Sequence, residues 1–134
     1  FNPIIVFTTM EIYTLFFIFI FLEIFESKWQ KSDTLHGVLA NNRYLFNTNF
    51  IQYFIFNITF IYSIFLTIYL NNYTFLMLSI VFIKFVDIAL RLSIIKKLNE
   101  GIDINEIIPN VQMTNLYRYL NVLVYPISFI IASY

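Results

Sequence analysis

Lys84, Asp87 and Arg91 interrupt an otherwise apolar run, and their spacings of three and four place them on one helix face. An acid between two bases inside such a run has two chemical uses. It can relay a proton or an ion, or it can pair with its neighbours and hold helices in register. Two more carboxylates, Glu11 and Glu23, stand in the first apolar run. Lys84 falls about 15 Å into its own helix and Glu11 about 12 Å into the first. The runs have the same direction, so helices one and three are expected to touch. Glu11 would then face Lys84, and Glu23 would lie near Arg91. Each of these charges costs roughly 2.5–3.5 kcal/mol at the centre of a membrane helix. The charged face is therefore expected to turn toward the bundle interior, a water-filled cavity or a partner. Arginines at every third position, the mark of a voltage-sensing helix, are absent.

Other chemistries find little support. The chain has no cysteine, which removes disulfides, iron–sulfur ligation and thiol catalysis. His36 is its single histidine, one short of a bis-histidine haem. No GxSxG elbow, P-loop or HExxH motif is present, so no catalytic residue is assigned and an enzyme is not expected. Asp33 with His36, and Asp103 with Glu106, have a spacing of three and would suit a metal if their loops met. Pairs of this kind are common by chance, and no metal or other cofactor is expected. Both glycines, Gly37 and Gly101, lie between the apolar runs. That leaves no GxxxG packing face and no carbonyl filter, and Pro126 is the one clear helix break.

The elements that must position these charges follow from composition. The chain has 134 residues, is 60% hydrophobic and 12% charged, and has a mean hydropathy of +0.76. A soluble domain carries about twice that charged fraction. Sixteen acidic and basic residues are too few to coat a fold of this size in water. The net charge is zero, which argues against a nucleic-acid partner. Four long apolar runs, at about 4–25, 50–70, 74–95 and 116–134, predict an all-α integral membrane four-helix bundle forming one domain. The chain begins at Phe1, and further residues are expected before it; no small-residue cleavage site follows Phe25.

Basic residues set the orientation. Lys28, Lys31 and Arg43 lie between runs one and two, and Lys96, Lys97 and Arg118 around the connection of runs three and four. The Asn71–Tyr73 segment reads as a tight, exposed turn, and neither it nor the two ends carries Lys or Arg. Both longer loops are expected in the cytoplasm and both ends outside, an N-out/C-out arrangement. Trp29, flanked by Lys28 and Lys31, reads as an interfacial anchor, and Asp103 with Glu106 as the cap of a short helix ended by Pro109. Asn57, Ser63, Asn121 and Ser128 offer hydrogen bonds between helices.

The expected function is that of a small accessory, scaffolding or assembly subunit of a larger complex in a bacterial inner membrane, with lipid and other membrane subunits, or copies of itself, as partners. The alternative is an oligomeric ion or proton channel or transporter using Glu11, Glu23, Lys84, Asp87 and Arg91.

Overall fold

The computed structural model describes residues 9–134, and among them the chain is all-α, with no strand. The helices in order are α1 (Thr9–Trp29), α2 (Leu35–Thr48), α3 (Phe50–Phe56), α4 (Ile58–Tyr69), α5 (Phe75–Asn99), α6 (Ile104–Ile107), α7 (Asn115–Arg118) and α8 (Leu120–Ser133). Residues 4–8 of the first expected span lie outside the described residues. Each of α1 and α5 packs against both α4 and α8, so these four form a ring with α1 and α5 facing one another across it.

The second expected span is not one helix. It breaks at Asn57 into α3 and α4, which meet at 52°. The cause is local. Asn57 Nδ2 donates to the carbonyl of Tyr53 at 2.8 Å, an amide competing with the backbone for its own helix's acceptors. Residue 119 likewise divides the fourth expected span, leaving the short turn α7 ahead of α8. Thr114 caps α7 by accepting from Tyr117 N.

The connection expected to be a loop between the first two spans is largely the 14-residue helix α2. Thr34 caps it by accepting from Gly37 N at 3.2 Å, and Leu35, Val38, Leu39 and Asn42 then share one face at helical spacing. The turn at 71–73 also differs from an exposed tip. Asn71 takes the left-handed conformation (φ 49°), whereas Asn72 is fully buried and donates to the carbonyl of Ala132 at 2.9 Å. Asp103 caps α6 as its spacing predicts.

The two longer connections meet at the same end of the bundle. An isolated antiparallel bridge joins Thr34 to Gln112, with Leu35 N donating to Val111 O and Met113 N to Asp33 O, each at 2.8 Å. At the opposite end Ile12, Phe19, Leu66, Leu70, Met77, Ile80, Tyr125 and Phe129 form a buried apolar cluster drawn from all four ring helices.

No single described helix is long and apolar enough to cross a membrane; α3 and α4 together meet that description as a bent pair. Length is not what α1 and α5 lack, at 21 and 25 residues. Their charges are what lower their hydropathy: Glu11, Glu23, Glu26 and Lys28 on α1, and Lys84, Asp87, Arg91, Lys96 and Lys97 on α5.

The apolar cluster is expected to dominate stability. Phe129→Ala should cost about 3–5 kcal/mol of unfolding free energy, because the ring is fully buried and contacts Phe19 at 6.1 Å between centroids. Phe82→Ala, on the exposed face of α5, should change it by less than about 0.5 kcal/mol. Denaturant unfolding of both variants in mild detergent checks the contrast.

Candidate functional site

Between the apolar cluster and the bridged loops lies a polar interior. Its centre is an ion pair between Glu23 on α1 and Lys84 on α5, whose side chains are 1% and 5% exposed. Lys84 Nζ also donates to Thr59 Oγ1 on α4 at 2.8 Å and sits 3.9 Å from the ring centroid of Tyr125 on α8. Lys84 thus touches the other three helices of the ring. Thr59 continues the chain to a second carboxylate. Its hydroxyl donates to Glu26 Oε2 at 2.8 Å and its backbone N–H to Glu26 Oε1 at 2.9 Å. That N–H is left over from the helix ladder because α4 begins at Ile58, so the break at Asn57 creates a donor for Glu26.

A second layer surrounds Arg91. Its Nη1 donates to Asn57 Oδ1 at 2.9 Å, Asn42 Oδ1 at 3.0 Å and Gln30 Oε1 at 3.4 Å, and its Nη2 to Asp87 Oδ2 at 3.0 Å. Tyr53 donates its hydroxyl to Asn42 Oδ1 at 3.0 Å, and Asn42 Nδ2 donates to Gln30 Oε1 at 3.1 Å. One guanidinium therefore joins α1's end, α2, the α3–α4 break and α5.

A cavity of about 330 Å³ opens among the loop-end elements and reaches inward to this interior. Its lining includes Glu23 and Glu26 of α1 and Asp87 and Arg91 of α5, together with Lys31, Tyr117 and Arg118 from the connecting segments and α7. Arg91 Nε and Arg118 Nε are buried there without an acceptor.

The expected charges are thus partly brought together. Asp87 pairs along its own helix with Arg91, as the spacing of four allows, but Lys84 meets Glu23 rather than Glu11, and the other partners of Arg91 are three amides rather than Glu23. Helices α1 and α5 reach one another through these long side chains across the ring. Glu11 is exposed in the first described turns of α1, in a groove with Phe65 and Tyr69 of α4. Glu26, Thr59, Gln30 and Asn42 were not anticipated. For Glu26 the available signal was its spacing of three from Glu23, which puts both on one face of α1. For Asn42 it was the capped, periodic stretch from Thr34.

The loop residues with metal-like spacing serve other ends. The His36 ring nitrogen Nε2 lies 2.8 Å from Ile108 O, Asp103 accepts from Asn105 N, and Asp33 is exposed, 3.9 Å from Arg118. No group of three metal-ligating side chains occurs among the described residues. Trp29 donates its indole N–H to Phe56 O at 3.1 Å, bracing the broken span from α1.

No family model, curated protein or solved structure matches this chain.

Lys84→Met strands a buried carboxylate and should lower stability by about 3–5 kcal/mol, of which a second change, Glu23→Leu, should restore a large part. In the corresponding double-mutant cycles, Glu23 and Lys84 should couple by about 1 kcal/mol or more, and Glu11 and Lys84 should be additive within about 0.5 kcal/mol. Additive behaviour of Glu23 and Lys84 would contradict the pairing.

Proposed function

We propose that this chain is an integral membrane protein of four spans that serves as a non-catalytic accessory or assembly subunit of a larger complex in a bacterial inner membrane. The observation that carries the membrane reading is the inverted distribution of polarity. Glu23, Lys84, Asn42, Asn57, Thr59 and Ser63 are buried, while Phe17, Phe21, Phe82, Phe85 and Ile131 are exposed by more than half their surface. In water both sets are on the wrong side. In lipid both are where the energetics put them, with polar groups satisfied inside and bulky apolar groups against acyl chains.

Lengths agree with this reading. Helices α1 and α5 extend about 31 and 37 Å, enough for a hydrocarbon layer about 30 Å thick. Of their charges, Glu23, Glu26 and Lys84 are buried within the bundle and so do not face lipid. The bent α3–α4 pair and α7–α8 complete the four spans. The bridge between residues 34 and 112 supports a shared side for the two basic loops, which the excess of Lys and Arg assigns to the cytoplasm. Both ends of the chain then lie outside.

The accessory role is favoured over a channel by the apolar cluster, which occludes the ring between the Glu23–Lys84 pair and the outer end. One observation favours an ion- or proton-handling role instead: the cavity that opens among the loops and has Glu23 and Glu26 in its lining.

Two measurements test the proposal. The chain contains no cysteine, so single replacements report topology cleanly. Tyr73→Cys should react with an impermeant maleimide in intact cells, and Glu100→Cys only after permeabilisation; the reverse pattern overturns the orientation. Purification from the source membrane in mild detergent should yield stoichiometric larger subunits. Isolation as a homo-oligomer alone rejects the accessory role.

A further inference from the structure

We infer that Glu23 is a binding site for one exchangeable proton, loaded from the loop side of the bundle through the cavity. Charge balance comes first. The innermost cluster holds two carboxylates, Glu23 and Glu26, and one ammonium, Lys84, all at most 7% exposed. Among the neighbouring cations, Arg91 is paired with the half-exposed Asp87, and Arg118 lies 3.9 Å from the fully exposed Asp33; neither forms an ion pair with Glu23 or Glu26. Lys31 is exposed at the loop side. Tyr53 and Tyr125, which face the cluster from α3 and α8, are neutral phenols in their ordinary state. Within ion-pair and hydrogen-bond contact the cluster therefore holds one carboxylate more than it has ammonium groups, in a place where an uncompensated ion costs several kcal/mol.

The two carboxylates are not equivalent. Glu26 accepts from Thr59 N and Thr59 Oγ1, at the start of α4, so each of its oxygens has a donor and the positive end of a helix lies beside it. Glu23 has its ion pair with Lys84 and no aligned hydrogen bond at either oxygen. Protonation of Glu23 balances the cluster without stranding a charge. Lys84 remains connected to Glu26 through Thr59 Oγ1, which accepts from one and donates to the other, each at 2.8 Å.

Exchange needs a route, and Glu23 and Glu26 are both among the residues that line the cavity opening among the loops; the Glu23 oxygens are themselves covered, so exchange takes a fluctuation of the cavity's inner wall. On the other side the Phe19, Leu66 and Phe129 cluster closes the ring. The proton therefore comes from and returns to one side only. An alkali cation fits less well, because Lys84 already occupies the space between the carboxylates, and two of their four oxygens are committed to Thr59. Burial and charge count hold whether lipid or protein covers the bundle, so the inference stands independently of the membrane and accessory readings.

Difference infrared spectroscopy of the full chain in nanodiscs tests it, read at the C=O stretch of a protonated carboxylic acid in sodium-free buffer. The wild type should show a buried acid band that disappears reversibly between mildly acidic and mildly alkaline pH. Glu23→Gln should abolish that band and Glu11→Gln leave it unchanged. Glu26→Gln, which removes the excess charge, should weaken it severalfold at neutral pH. A wild type without such a band overturns the proposal, and that result needs no variant to fold. Persistence of the band in Glu23→Gln, or its full retention in Glu26→Gln, overturns it as well. A missing band together with a thermal midpoint raised by sodium or potassium over choline identifies an alkali-cation site instead.

Discussion

Lys84 is the constraint on which the rest of the bundle depends. An ammonium enclosed by α1, α4, α5 and α8 must be met by charge and hydrogen bonds from all sides, or the desolvation penalty exceeds anything the surrounding packing supplies. Glu23 meets it from α1, Thr59 from α4 and the Tyr125 ring from α8. Each of these contacts requires its helix at a particular depth and rotation. The pair thus sets register among helices whose other contacts are largely aromatic and aliphatic and discriminate weakly between neighbouring arrangements.

The break at Asn57 belongs to the same constraint. A continuous helix through residues 50–69 would engage Thr59 N in the backbone ladder. By ending α3 early, Asn57 frees that N–H for Glu26 and turns its own Oδ1 toward Arg91. Asn42 then brings α2 to the same guanidinium, which is how a connecting segment becomes part of the interior. Polar groups continue from Glu23 toward the bridged loops, and the apolar cluster begins on the other side. This asymmetry gives the molecule one polar end and one apolar end, and it underlies both the subunit reading and the proton site.

An inward polar core with an outward aromatic surface is the distribution that the proposed lipid setting favours, because that medium offers no hydrogen bonds. Within that proposal the location and pairing of Glu23, Glu26 and Lys84 matter more than the number of charges on α1 and α5.

Much of this was legible in the residues themselves. The apolar runs and scarcity of charge determined a helical chain, and the spacing of Lys84, Asp87 and Arg91 determined that those three share a face, because helical periodicity is a local property. The caps at Thr34 and Asp103 were equally local, although only the second was recognised. Partner choice was not legible. Depth along a helix suggested Glu11 for Lys84, but the lateral position and tilt of α1 bring Glu23 there instead, and neither depends on any short stretch of sequence. Asn57 is both: its amide breaks the helix through a local bond to Tyr53 O, while the groups it then serves, Arg91 through its own Oδ1 and Glu26 through the Thr59 N–H it frees, are distant in sequence and are brought there only by the tertiary structure.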